Sequence, residues 1–135
     1  MKFKKVIAAA AFAAALALAL PLSGIAHAGA ADYAFEPVNA EVKKGDDAVV
    51  AVRLLHKPTG KPVEGAVIIA TRIDMAPDGM ADMASPLTPA PSEEPGIYAF
   101  KTELAMAGNW LLTISAKVQG EQETVHGKIT FRATR

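Results

Sequence analysis

Four of the five methionines lie between positions 75 and 106. Met75, Met80 and Met83 fall in the run Arg-Ile-Asp-Met-Ala-Pro-Asp-Gly-Met-Ala-Asp-Met, and Met106 in Leu-Ala-Met-Ala-Gly-Asn-Trp. The chain has no cysteine, so thioethers are the only soft donors it can offer. Neutral sulfur ligands favour Cu(I) over hard cations. Converging, Met75, Met80 and Met83 would make a three-thioether Cu(I) or Ag(I) site, and Met106 would add a fourth sulfur if its turn sits at the same end of the fold. The competing expectation is packing: methionine is a flexible gap-filler, and Met75 in particular would close a strand as core.

Other chemistry-bearing residues give weaker signals. Asp74, Asp78 and Asp82 recur at every fourth position. They lack the dense Asp/Asn/Gly pattern of a calcium loop and are expected on a solvated polar face. His56 and His126 are the histidines that remain once residues 1–28 are removed. His126, expected in the final strand near a sandwich edge, is the better candidate ligand, although each reads first as a surface residue. Trp110 and Tyr98 are expected to pack in the core rather than to bind a cation. Catalysis finds little support. Ser85, Ser92 and Ser115 have no histidine nearby in sequence and no nucleophile-elbow setting. Glu93-Glu94 stands on a proline-rich stretch, a poor platform for carboxylates that need fixed geometry.

These residues must be positioned by a β-rich domain. Lys2, Lys4 and Lys5, an apolar run from Val6 to Leu20 and the small-x-small motif Ala26-His27-Ala28 read as a signal peptide cleaved after Ala28. A retained anchor is the alternative, but the run is short against the ~20 residues of a spanning helix. The full chain carries 14 Lys+Arg and 14 Asp+Glu. Cleavage removes three lysines and no acid, leaving 11 against 14, a net charge of −3. No basic patch remains to suggest nucleic acid or an anionic membrane surface. Residues 29–135 suffice for one domain, which must hold without disulfides.

Within that domain, Asp47–Leu55 reads as a strand and residues 56–62, with two prolines and a glycine, as a turn. Val63–Ile73 reads as a second strand, its Val67-Ile68-Ile69 run too continuously apolar to be half exposed. Five prolines between Met75 and Pro95 (Pro77, Pro86, Pro89, Pro91, Pro95) predict an irregular loop. Strands resume at Gly96–Leu104, Trp110–Val118 and Thr124–Phe131. The middle one places Trp110, Leu112, Ile114, Ala116 and Val118 on one face. One or two more strands are expected between Tyr33 and Val42. About seven short strands with frequent turns define an antiparallel β-sandwich, expected to pack in an immunoglobulin-like way.

The order of Thr59-Gly60-Lys61-Pro62-Val63-x-Gly65-Ala66, a Met-rich proline loop, Pro95-Gly96-Ile97-Tyr98 and Leu104-x-Met106-Ala107-Gly108-Asn109-Trp110 resembles the YtkA-like and FixH-like periplasmic domains over roughly residues 35 to 133. That resemblance implies an exported immunoglobulin-like sandwich without known catalytic activity. It also implies service to heavy-metal efflux systems or to haem-copper oxidase maturation. Efflux-associated relatives commonly carry Met-x-x-Met-Gly-His-Met in the loop. This chain has wider methionine spacing and no histidine there, and unlike FixH proper it reads as cleaved.

The expected protein is therefore a periplasmic or secreted, non-catalytic accessory that binds Cu(I) or Ag(I) and serves an efflux system or an oxidase-assembly complex. Neither nucleic acid nor a small-molecule substrate is expected, and the mature form does not span a membrane. The alternative is an interaction module whose Met-Pro loop or sheet edge docks on a membrane complex without metal.

Overall fold

The computed structural model describes residues 29–135; the expected signal peptide, residues 1–28, lies outside them. The chain enters through a short 3-10 turn, Ala30–Asp32, and forms ten strands: β1 Tyr33–Pro37, β2 Glu41–Lys43, β3 Gly45–His56, β4 Lys61–Pro62, β5 Val67–Met75, β6 Met80–Ser85, β7 Leu87–Ala90, β8 Ile97–Leu104, β9 Gly108–Lys117 and β10 Val125–Thr134. One sheet runs β1-β3-β8-β7, with β4 paired to β3, and the other runs β2-β10-β9-β5-β6. The pairings are antiparallel except that β10 pairs β2 in parallel. The expected all-β sandwich is thus observed, in a mixed form.

Alternation dictates how the two sheets meet. Side chains two apart on a strand share a face. In β3 the inward set is Ala48, Val50, Val52 and Leu54; in β9 it is Trp110, Leu112, Ile114 and Ala116. Ile129, Phe131 and Ala133 of β10 join them. Val118, past the end of β9, is also buried and packs with Leu54 and Val125 in a second cluster. The whole face expected of residues 110–118 is therefore buried.

Two expectations are corrected. Residues 75–95 are not an irregular loop: they hold a 3-10 turn, Ala76–Asp78, and strands β6 and β7. Pro77 stands in the first turn, Pro86 falls between the strands, and Pro89 lies on an edge strand where its missing N–H is tolerated. Nor is the Val67-Ile68-Ile69 run buried, since Val67 is 60% and Ile69 52% exposed. The register of β5 on β9 slips between Ile68 and Ala70, so Ile69 is an extra, bulged residue. This stretch of β5 also has no outer neighbour, because β6 pairs only with Ile73, Asp74 and Met75.

Candidate functional site

Met75 and Met80 flank the turn from β5 into β6, and Met83 follows on β6. Asp74 builds that turn: one carboxylate oxygen accepts from the N–H of Ala76 at 2.9 Å, and the other from Arg72 Nε at 2.8 Å. Arg72 also reaches across to the carbonyl of Ala81 at 3.0 Å. Gly79 then reverses the chain at φ 76°, a left-handed conformation that favours glycine. Met80 comes to rest opposite Met75 in the ladder. Directly paired residues project to the same side of a sheet with β-carbons ~5 Å apart. Met75 is fully buried and Met80 packs on the same core.

Asp78 ties this turn to the start of β9, just after the connection from β8. Its carboxylate accepts from the Asn109 N–H at 2.7 Å and from Asn109 Nδ2 at 3.0 Å. Those two bonds, the backbone one first, hold the Asp78 carboxyl below the usual carboxylate value. Gly108 fills the space between: a β-carbon there would stand 2.6 Å from Met75 Cε and 2.5 Å from Asp78 Oδ2. Met106, two residues earlier, is fixed through its carbonyl, which accepts from Trp110 Nε1 at 3.1 Å. The turn bearing Met106 therefore sits at the same end as Met75 and Met80, as a four-sulfur arrangement requires. Met83 follows on β6; Met83 and Met106 are each 39% exposed.

The lowered carboxyl of Asp78 sets a pH dependence. A group whose pKa falls on folding contributes stability that is complete above its unfolded value and disappears as pH drops through the folded one. The melting temperature of the native protein should fall through that acidic window more steeply than that of Asp78→Asn, which carries no charge to lose. Parallel melts at descending pH check this, and equal slopes would remove Asp78 from the effect.

His126 is not part of this end. It lies exposed on β10 with Nδ1 2.8 Å from Ser115 Oγ, and Ser115 is its ladder partner on β9. From Gly108 to Ser115, at ~3.3 Å per residue, is about 23 Å along the strand. His56 stands at the far end of β3, with Nδ1 2.8 Å from Thr59 Oγ1. The Ser115–His126 contact was hidden in the sequence by eleven residues of separation and follows from the β9–β10 register. Both side chains lie on the outer face of their sheet, opposite the core-facing Ile114 and Ala116.

Two of the three aspartates differ from expectation. Asp74 is 6% exposed and Asp78 is engaged with Asn109, so of the supposed solvated face only Asp82 is both exposed and without a hydrogen-bond role. Two of these acids build the turn and dock it. Among the described residues no three of His, Cys, Asp and Glu gather as a metal site. Of the four methionines at or next to this turn and the Met106 turn, Met75 is fully buried, Met80 half-buried opposite it, and Met83 and Met106 exposed.

Together these features define a small all-β sandwich domain with a methionine-bearing end closed by an aspartate clasp. Residues 27–115 match the model of the family described as YtkA-like, and the chain belongs to that family. The match begins earlier than the resemblance had suggested and ends within β9, and it contains every residue of the methionine end. No curated protein matches the chain. Among the described residues no helix is long and apolar enough to cross a membrane.

Proposed function

We propose that this protein is an exported, non-catalytic accessory domain that captures Cu(I) or Ag(I) on thioethers and passes the ion to a metal-efflux or oxidase-assembly partner. The observation that supports the reading is the Met75–Met80 register on β5–β6 together with the clasp from Asp78 to Asn109, which holds the strand following the Met106 turn at the same end. The donor set fits a soft monovalent ion, because the sulfurs are uncharged and the end is part dry and part open. Met75, Met80 and Met106 would hold the ion, with Met83 beside them on β6. Few, neutral ligands favour exchange over storage, which suits a carrier. Membership of the YtkA-like family and the signal-like sequence of residues 1–28 support the accessory role and export.

The exposure of Met83 and Met106 also favours a second reading, in which this end docks on a protein partner. One experiment separates the two. The purified protein is titrated anaerobically with Cu(I) against a chromophoric chelator, beside a Met80→Leu/Met83→Leu/Met106→Leu variant. Leucine keeps apolar bulk and removes sulfur, and Met75 is left in the core. Competition by the native protein at about one ion per chain, weakened at least ~100-fold in the variant, is the expected result; two lost ligands at ~1.4 kcal/mol each already give that factor. Failure of the native protein to compete with the chelator would leave the docking reading.

A further inference from the structure

A second site opens on the side of the sandwich where the chain passes from β6 in one sheet to β7 in the other. Between β5 and the β7–β8 pair lies a cleft of about 460 Å³ lined by Ile68, Thr71, Ala90, Ile97, Tyr98 and Phe100 among others, with no charged residue in its wall. Its volume falls in the ~300–1,000 Å³ range of small-molecule sites. The Tyr98 hydroxyl is already occupied, donating to the Val63 carbonyl at 2.8 Å and accepting from the Ala66 N–H at 3.0 Å. What Tyr98 presents to the cleft is therefore ring surface. A smaller recess of about 340 Å³ adjoins it, sharing Ser92, Ile97 and Tyr98, and is rimmed by Glu64, Glu93 and Glu94. Among the described residues the one salt bridge is Arg72–Asp74, so none of these three glutamates has a basic partner.

The edges of the cleft disfavour strand addition. β5 carries its bulge at Ile69, and β7 carries Pro89; bulges and prolines are devices that blunt exposed edges. A second copy of the chain would bring the same three carboxylates to the mouth. The occupant that fits enters between the sheets rather than along them, and needs an apolar body with a positive end.

We propose that this cleft binds a small amphipathic cation, its hydrocarbon portion between Ile68, Thr71 and Phe100 and its ammonium group beside Glu64, Glu93 and Glu94. The site is separate from the methionine end and does not rest on the metal reading. The probe is nonyltrimethylammonium below its micelle concentration, followed by amide chemical shifts in NMR, with nonanol and nonanoate as neutral and anionic controls. Saturable shifts at Ile68, Thr71 and Phe100 are expected, with nonanoate at least ~10-fold weaker. A Glu64→Gln/Glu93→Gln/Glu94→Gln variant, altered only at exposed positions, should lose about tenfold in affinity for the cation and none for nonanol, since its three charge contacts are each partly screened by solvent. Non-saturating shifts, equal affinity for nonanoate, an unchanged cation affinity in the variant, or shifts confined to the methionine end would each overturn the proposal.

Discussion

Trp110→Ala is expected to lower stability by about 3–5 kcal/mol, the range for removing a large aromatic from a packed core. Trp110 is 1% exposed, faces Phe131 across the β9–β10 ladder and belongs to the main core cluster. Domains of this size hold ~5–15 kcal/mol in all, so the variant should melt roughly 15–30 °C lower. Trp110→Phe separates packing from hydrogen bonding. It retains a ring but leaves the Met106 carbonyl without its indole donor, a loss of ~1–2 kcal/mol. Thermal unfolding of both variants checks the pair, and a Trp110→Ala melt within a few degrees of native would contradict the assigned core.

Gly108→Ala should act on stability and on the methionine end together. The residue sits at φ 146°, outside the ordinary range for an L side chain, and the added carbon would meet Asp78 and Met75 at 2.5 and 2.6 Å. Backbone strain of ~1–3 kcal/mol and overpacking of similar size give an expected loss of about 2–4 kcal/mol. Relief of the contact requires the Asp78 carboxylate to leave Asn109, so the steeper acid dependence of melting should disappear as well. In an Asp78→Ala background the same substitution should cost less, since one of the two colliding groups is gone; a double-mutant cycle reads that coupling. Additive losses would show that Asp78 and Gly108 do not meet.

Much of the sandwich was legible from alternation. The β-branched run of β3 and the Trp110–Val118 face each repeat with the period of a half-buried strand, and both faces are buried as that period requires. The stretch from Met75 to Pro95 was not legible, because whether a proline breaks a strand depends on its place in the sheet, which composition does not show. On an edge strand or in the first turn of a 3-10 segment a proline lacks nothing the fold needs, and Pro89 and Pro77 occupy such places. A usable signal was present: Pro77-Asp78-Gly79 between two apolar stretches is a turn sequence with a mechanism, and it marks the β5–β6 reversal. The exposed Ile69 was hidden for a different reason, since a bulge changes the facing of a residue without changing its type. The site was legible in part. Residue chemistry drew attention to the methionines as candidates, whereas the clasp from Asp78 to Asn109 spans 31 positions and exists only once the β5–β6 turn meets the start of β9.

The placement of β10 carries a consequence in time. It is the last strand in the chain, yet it lies second in its sheet, between β2 and β9, and it supplies Ile129, Phe131 and Ala133 to the core. Arg132 faces Glu41 in the parallel pairing, so the earliest residues of that sheet wait for the latest. Contacts of such long sequence separation form slowly. A chain released from its N-terminus can pair β9 with β5 and complete the β1-β3-β8-β7 sheet, but β2 and the outer edge of β9 stay without a neighbour until β10 follows.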